Sequence, residues 1–272
     1  MEAISAVTNG YVRELITKGL REDMRKMLAY RPLKITPNVL DNAEGSAQVD
    51  LGNTRVLAGV KMVLGEPMED TPNEGTLVVS AELLPLASVE YEAGPPTPDA
   101  IELGRVVDRG IRAGRCVDLE SLLVEEGKVW SVYVDLYVLN YDGNLFDAAE
   151  IAAMSALLNT KVPAYEDGKV AREKRVKELK IDNTVTSATF AKINGSVLLD
   201  PNGTEEAAAS ILSGLISFIA RPSSLFPFTI NSGLFAFGAI FSPRFLFHHL
   251  LYPFSQARYV SLFLNPKYYL CR

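Results

Sequence analysis

Residues 43–61 read AEGSAQVDLGNTRVLAGVK, and the fold turns on this stretch. Ala47, Val49 and Leu51 alternate with Ser46, Gln48 and Asp50, the period-two pattern of a strand with one buried face. Gly52-Asn53 then predicts a tight turn. Positions 56–60 carry no polar side chain, which predicts a return strand covered on both faces. A hairpin of this kind belongs at the centre of a sheet.

Upstream, residues 2–30 read as helix, with Tyr11, Leu15, Leu20, Met24, Met27 and Leu28 apolar among charges and a break at Gly19. Its basic members Arg21, Arg25 and Lys26 are expected to be solvated. Arg31-Pro32 stops the helix, and positions 33–35 begin the sheet. Downstream, 65–75 is a turn-rich, exposed loop and 76–84 the next strand. The sequence AGPPTP at 93–98 breaks the chain, with Thr97 placed to cap a helix over 99–113 and Pro98 suited to its first position. Residues 129–140, VWSVYVDLYVLN, are the clearest strand, with Trp130, Val132, Val134, Leu136 and Val138 facing inward and Asp135 outward. Asp142-Gly143-Asn144 turns the chain, and Asp147 with Glu150 reads as a capping box opening a buried helix over 148–158. The charged run KVAREKRVKELK, 169–180, reads as a solvated linker or short helix. A second hairpin over 185–199 turns at Asn194-Gly195.

Charge divides the chain in two. Residues 1–206 hold 22 of the 27 basic residues and all 33 acidic ones, a net −11. Residues 207–272 hold five basic residues, no acid, and both histidines, His248 and His249. A body without histidine excludes His-based hydrolysis. Two cysteines, Cys116 and Cys271, are too few for a disulfide framework, and the N-terminus has no signal-peptide pattern, so a reducing, cytoplasmic setting is expected. An acidic body binds nucleic acid poorly except through a local patch or a partner. The helix over 99–113 supplies a candidate patch, since Arg105, Arg109 and Arg112 share one face. Guanidinium groups suit phosphate oxygens, although Glu102–Arg105 and Asp108–Arg112 pairs would make the same row a solvated surface.

The wording EGSAQVDLGNTRVLAGVK resembles the signature hairpin of the ribonuclease PH family, phosphate-dependent 3′-to-5′ RNA-degrading proteins and their inactive relatives. ELGRVVDRGIR (102–112) and YDGNLFDAAEIAAMSALLNTKVP (141–163) resemble the family's catalytically silent members, which alternate with an active partner in the six-membered ring of the archaeal-type RNA exosome. The resemblance runs from about Leu15 to Asn202. It implies an α+β ribonuclease PH-type fold, sheets with packed helices, whose second half is incomplete. It also implies a non-catalytic role in RNA positioning, with Arg105, Arg109 and Arg112 on the RNA path. The implied partners are an active ribonuclease PH-type subunit, RNA-binding cap subunits and single-stranded RNA, with no cofactor or metal. Active members carry a Thr-Arg-type sequence after the turn at 142–144, where hydroxyl, guanidinium and helix start hold the attacking phosphate. This chain has Asn144-Leu145-Phe146-Asp147 instead, and near the family's metal-binding acids it offers Asp200 followed by Pro201. The alternative is that the chain is a phosphorolytic exoribonuclease in its own right, and the sequence at 144–147 argues against it.

The expected organisation is an N-terminal helical segment (1–30), a ribonuclease PH-like first half (31–165), a linker and start of the second half (166–206), and a divergent apolar tail (207–272). The tail admits three readings. Uncharged runs at 207–220 and 222–243 suggest a membrane-associated segment, yet the first is short and the second holds Pro222, Pro227 and Asn231. Phe235, Phe237, Phe241, Phe245 and Phe247 suggest a binding tail. An abrupt, acid-free start inside a familiar domain suggests a shifted reading frame, the preferred reading. The adjacent His248-His249 pair is a weak metal motif.

Overall fold

The structure is a computed structural model that describes residues 2–166, 169–213, 216–220 and 259–261. In chain order its elements are α1 (Glu2–Thr17), β1 (Leu33–Pro37), β2 (Gly45–Leu51), β3 (Thr54–Gly65), β4 (Thr76–Leu83), α2 (Pro98–Ala113), β5 (Leu123–Glu125), β6 (Lys128–Asn140) and α3 (Leu145–Leu158). These are followed by β7 (Lys161–Glu166), β8 (Lys169–Glu178), β9 (Thr184–Thr186), β10 (Phe190–Ile193), β11 (Ser196–Leu199), α4 (Gly203–Ala208), β12 (Ile211–Ser213), β13 (Ile216–Ala220) and β14 (Tyr259–Ser261).

The hairpin of 43–61 is central. β2 and β3 pair antiparallel around Gly52-Asn53, with Gly52 at a φ of +58° that favours glycine. The sheet runs β1-β2-β3-β6-β4, with β5 attached to β6 and β4 parallel to β6. Val56, Ala58, Val60 and Met62 meet Val132, Val134, Leu136 and Val138 across one face, all of them at most 1% exposed. Helices α2 and α3 both pack on that face. Among the described residues the opposite face carries no helix, only loop cover such as Leu40 over Gly59, and Leu57 and Gly59 are half-buried. The two-sided covering expected for 56–60 is therefore not found, because both helices lie on the same side.

Alanine lets α3 sit deep. Ala148, Ala149, Ala152, Ala153 and Ala156 are fully buried, and the short side chains allow close approach of β2, β3 and α2. Gly45 completes that approach: a Cβ there would lie 2.5 Å from Ala156 O and overlap Thr160 Oγ1.

Three expectations are corrected. The N-terminal helix ends at Thr17, and Gly19 takes a φ of +74°, so 20–30 form turns. Arg21 and Arg25 are not solvated: Arg21 is 1% exposed and bonded to Glu205, and Arg25 reaches Asp200. The partners lie 184 and 175 residues away. The run KVAREKRVKELK is neither linker nor helix, for β8 pairs antiparallel with β7, anchored where Arg172 meets the buried Glu44 carboxylate at 2.7 Å.

A smaller core forms where Val12 and Ile16 of α1 meet Ala191, Ile193, Leu198 and Ala208. β11-β10-β12 forms a three-stranded sheet at this core, and β14-β13-β9 forms another whose Val185 joins the main core instead. The predicted turn at Asn194-Gly195 joins β10 to β11. Among the described residues no helix is long and apolar enough to cross a membrane. The tail aromatics 235–247 and His248-His249 lie outside the described residues.

Candidate functional site

Helix α2 presents the arginine row as its sequence implies. Thr97 Oγ1 accepts a hydrogen bond from Ala100 N at 3.3 Å, and Pro98 occupies the first turn, where a missing N–H costs nothing. Leu103, Val107 and Ile111 join the main core, which leaves Arg105, Arg109 and Arg112 exposed. Arg112 is already engaged: it pairs with Asp108 at 2.9 Å and donates to Leu77 O. Arg105 and Arg109 make no ion pair among the described residues, so two guanidinium groups remain for an anionic ligand. Asp135, expected outward, is half-buried on the sheet face away from the two helices and accepts from Ser80 Oγ at 2.6 Å.

The turn at 142–147 is built differently from its sequence reading. Asn144 is the N-cap residue of α3, in the left-handed region at φ 55°, and its side chain makes no capping bond. Asp147 and Glu150 are therefore not a capping box but sit inside the helix. Asp147, fully buried, accepts from Tyr30 Oη (2.8 Å), Thr189 Oγ1 (2.8 Å), Thr189 N (3.0 Å) and Asn144 Nδ2 (2.9 Å). Burial pushes its carboxyl up despite those four donors.

Asn144 Nδ2 also donates to Asp200 Oδ1 at 2.7 Å. Asp200 is the acceptor for Arg31, whose N, Nε and Nη2 lie 2.8, 3.0 and 2.8 Å from its carboxylate, and for Arg25 Nη1 at 2.9 Å. Arg31 also donates to the turn itself, at Asp142 O (2.5 Å) and Gly143 O (3.2 Å). Glu206 closes the arrangement. Its Oε1 accepts from Asn144 N at 2.8 Å and its Oε2 from Tyr141 Oη at 2.8 Å. Burial raises the Glu206 carboxyl as well. Gly143 leaves no spare room, because at φ +76° its α-carbon packs where an added Cβ would lie 2.5 Å from Asn202 C.

Electrostatically, the α3 start resembles an anion site filled from within. A helix N-terminus offers free N–H groups and the positive end of its dipole. Here the chain's own Glu206 takes the N–H of Asn144, while Asp147 and Asp200 lie beside it. An incoming phosphate would meet carboxylates and the half-buried Leu145 and Phe146, while the nearby Arg31 guanidinium is already held by Asp200.

Glu205 and Glu206 were missed from the sequence, where Asp200 alone was singled out. The available signal was Asn202-x-x-Glu205, which forms a capping box on α4. Each of these acids is committed to an internal donor, and Glu205 forms a fully buried pair with Arg21 at 2.6 Å. No group of three or more His, Cys, Asp or Glu among the described residues is arranged to hold a metal ion.

Residues 29–163 match the 3′ exoribonuclease family, domain 1, known as RNase PH. Exosome complex component Rrp42 of Aeropyrum pernix is 46% identical over 203 residues, covering 72% of this chain and 74% of the relative. Its counterpart in Methanothermobacter thermautotrophicus is 43% identical over 221 residues, covering 80% of each chain. Among solved structures, a chain of the Archaeoglobus fulgidus exosome with RNA bound to the active site superposes with a TM-score of 0.73 at 42% identity, covering 80% of this chain and 84% of that one. A chain of an archaeal exosome core gives 0.69 at 39% identity, covering 80% and 81%. On these matches the chain belongs to the ribonuclease PH family, among the Rrp42-type exosome components.

Proposed function

We propose that this chain is a non-catalytic, cytoplasmic ring subunit of an archaeal exosome core, which completes the ring beside an active ribonuclease PH-type subunit and RNA-binding cap subunits. Phosphorolysis at the RNA 3′ end then belongs to the partner. The observation that carries the non-catalytic reading is Glu206 on the Asn144 N–H at the start of α3, where an active site of this family needs room for phosphate. Arg105, Arg109 and Arg112 are assigned to the RNA path, because they form an exposed cationic row on an otherwise acidic body.

The test is co-expression with an active ribonuclease PH-type subunit from the same source, followed by chromatography with light scattering and a phosphorolysis assay. A discrete mixed ring that releases nucleoside diphosphates from single-stranded RNA only with phosphate and only with the partner is expected. Phosphate-dependent release by the chain alone would overturn the non-catalytic reading. Failure to enter any ring would overturn the subunit reading.

A further inference from the structure

Glu150 has no role in the network around the turn, yet it is among the largest fully buried side chains in the protein. It projects from α3 over Gly110 of α2, whose missing Cβ leaves the space that Glu150 Oε1 fills. Both carboxyl oxygens are buried without a hydrogen-bond partner. Thr186 Oγ1 and Ser187 Oγ, at the end of β9, are likewise buried and unpartnered. The two Glu150 oxygens and Ser187 Oγ thus come together where α2, α3 and β9 meet, the junction between the main sheet layer and the second half of the chain.

The groups that act on Glu150 from the packed elements include no cation. From the segment after α2 comes the Cys116 thiol, from the end of β9 the Ser187 hydroxyl, from α3 itself the Asp147 carboxylate, and at longer range Tyr30. An ionised carboxylate in such surroundings has only the Ser187 hydroxyl to offset its lost hydration, whereas a neutral acid costs far less to bury and can itself bond to that hydroxyl. Ser187 Oγ lies against the carboxyl without closing a well-formed bond, so a small rotation brings the two together. The core residues from β2 and β3 that pack against α3 are apolar and offer the charge nothing.

We infer that Glu150 is a proton-controlled latch: as a neutral acid it seals β9 onto α2 and α3, and its ionisation drives that junction open. Burial raises the carboxyl to about 7 from an ordinary 4.5. The closed state therefore holds its proton more tightly than the open one. Closure is complete below about 4.5, weakens as pH rises towards 7, and levels off above that. The opening equilibrium should rise by close to tenfold per pH unit midway between about 4.5 and 7, and on the order of 300-fold over the whole titration.

The test is hydrogen exchange of the full chain from pH 5 to 8.5, followed at the amides of 184–187 and corrected for intrinsic rates, with Glu150→Gln alongside. Thr189 is left out as a reporter because its N–H bonds to Asp147. The natural chain should lose protection along the stated curve, and Glu150→Gln should remain flat. Equal pH dependence in both chains would overturn the latch, as would a natural chain that shows none. Isotope-edited infrared or carboxyl NMR of the natural chain gives a reading that does not depend on the variant folding. A Glu150 carboxyl still neutral at pH 6 supports the latch, and one already ionised there sinks it.

Discussion

Replacing Asp200 with asparagine removes one negative charge and leaves the shape of the side chain in place. Asparagine suits the test because residue 200 sits at φ 53°, a left-handed conformation that Asp and Asn tolerate and alanine does not. Five donors converge on the carboxylate: three from Arg31, one from Arg25 and one from Asn144. The amide can accept from one side only, and its NH2 would face donors on the other. The Arg31 side chain is 5% exposed, so its charge would stay buried without its principal counter-ion. Breaking a buried pair from one side costs about 3–5 kcal/mol. Arg31 keeps carbonyl acceptors at Asp142, Gly143 and Pro201, and Arg25 keeps Asp23 and the Ala29 carbonyl, which places the expected loss near the lower end, about 3 kcal/mol. That is a large share of the stability of an ordinary domain. Urea unfolding of the full chain, followed by circular dichroism, measures it. Arg31→Met combined with Asp200→Asn should cost clearly less than the two single changes together, because the stranded charge is gone. A loss below about 1 kcal/mol for Asp200→Asn, or strict additivity in the double variant, would refute the reasoning.

Two further outcomes follow from the geometry. In the mixed ring, Arg105→Ala and Arg109→Ala should each weaken single-stranded RNA binding across sequences and lower the salt slope by about one, read by fluorescence anisotropy at several salt concentrations. Arg112→Ala should do less, because that guanidinium is committed to Asp108 and Leu77 O. Gly45→Ala should destabilise the chain by about 2 kcal/mol through overpacking against α3, measured by thermal unfolding.

Local chemistry made much of the fold legible. Alternation at 46–51, Gly52-Asn53, the Thr97-Pro98 start of α2 and the inward row from Trp130 to Val138 each depend on neighbours within a few residues, so the sequence displays them. The misreadings share the opposite property. Arg21 and Arg25 look solvated until the chain returns at Asp200 and Glu205, and nothing near position 21 announces that return. Asp147 and Glu150 have the spacing of a capping box, but Asn144 adopts a left-handed conformation and starts the helix three residues earlier, which turns both carboxyls inward. In 169–180 the charges disguise strand pairing, because one of the cations, Arg172, is held by a buried acid contributed by the loop before β2. The arginine row was visible, while the distinction between the open Arg105 and Arg109 and the occupied Arg112 needed the packing of β4 against α2.

On the proposed non-catalytic reading, the placement of Glu206 at the head of α3 bears on how this lineage can change. An arginine introduced alone at position 145 or 146 would find Glu206 and Asp147 waiting, and its charge would be spent inside the protein before any phosphate arrived. Recovering an open anion site would require several coordinated changes, at least at the turn and at 206, and some of these would disturb acids that the Arg25 and Arg31 clamps depend on. Each intermediate would be less stable than its parent without yet gaining activity. On that reading such a turn would work as a ratchet: once the internal carboxylate has taken the helix start, drift can elaborate the scaffold, but it has no short path back.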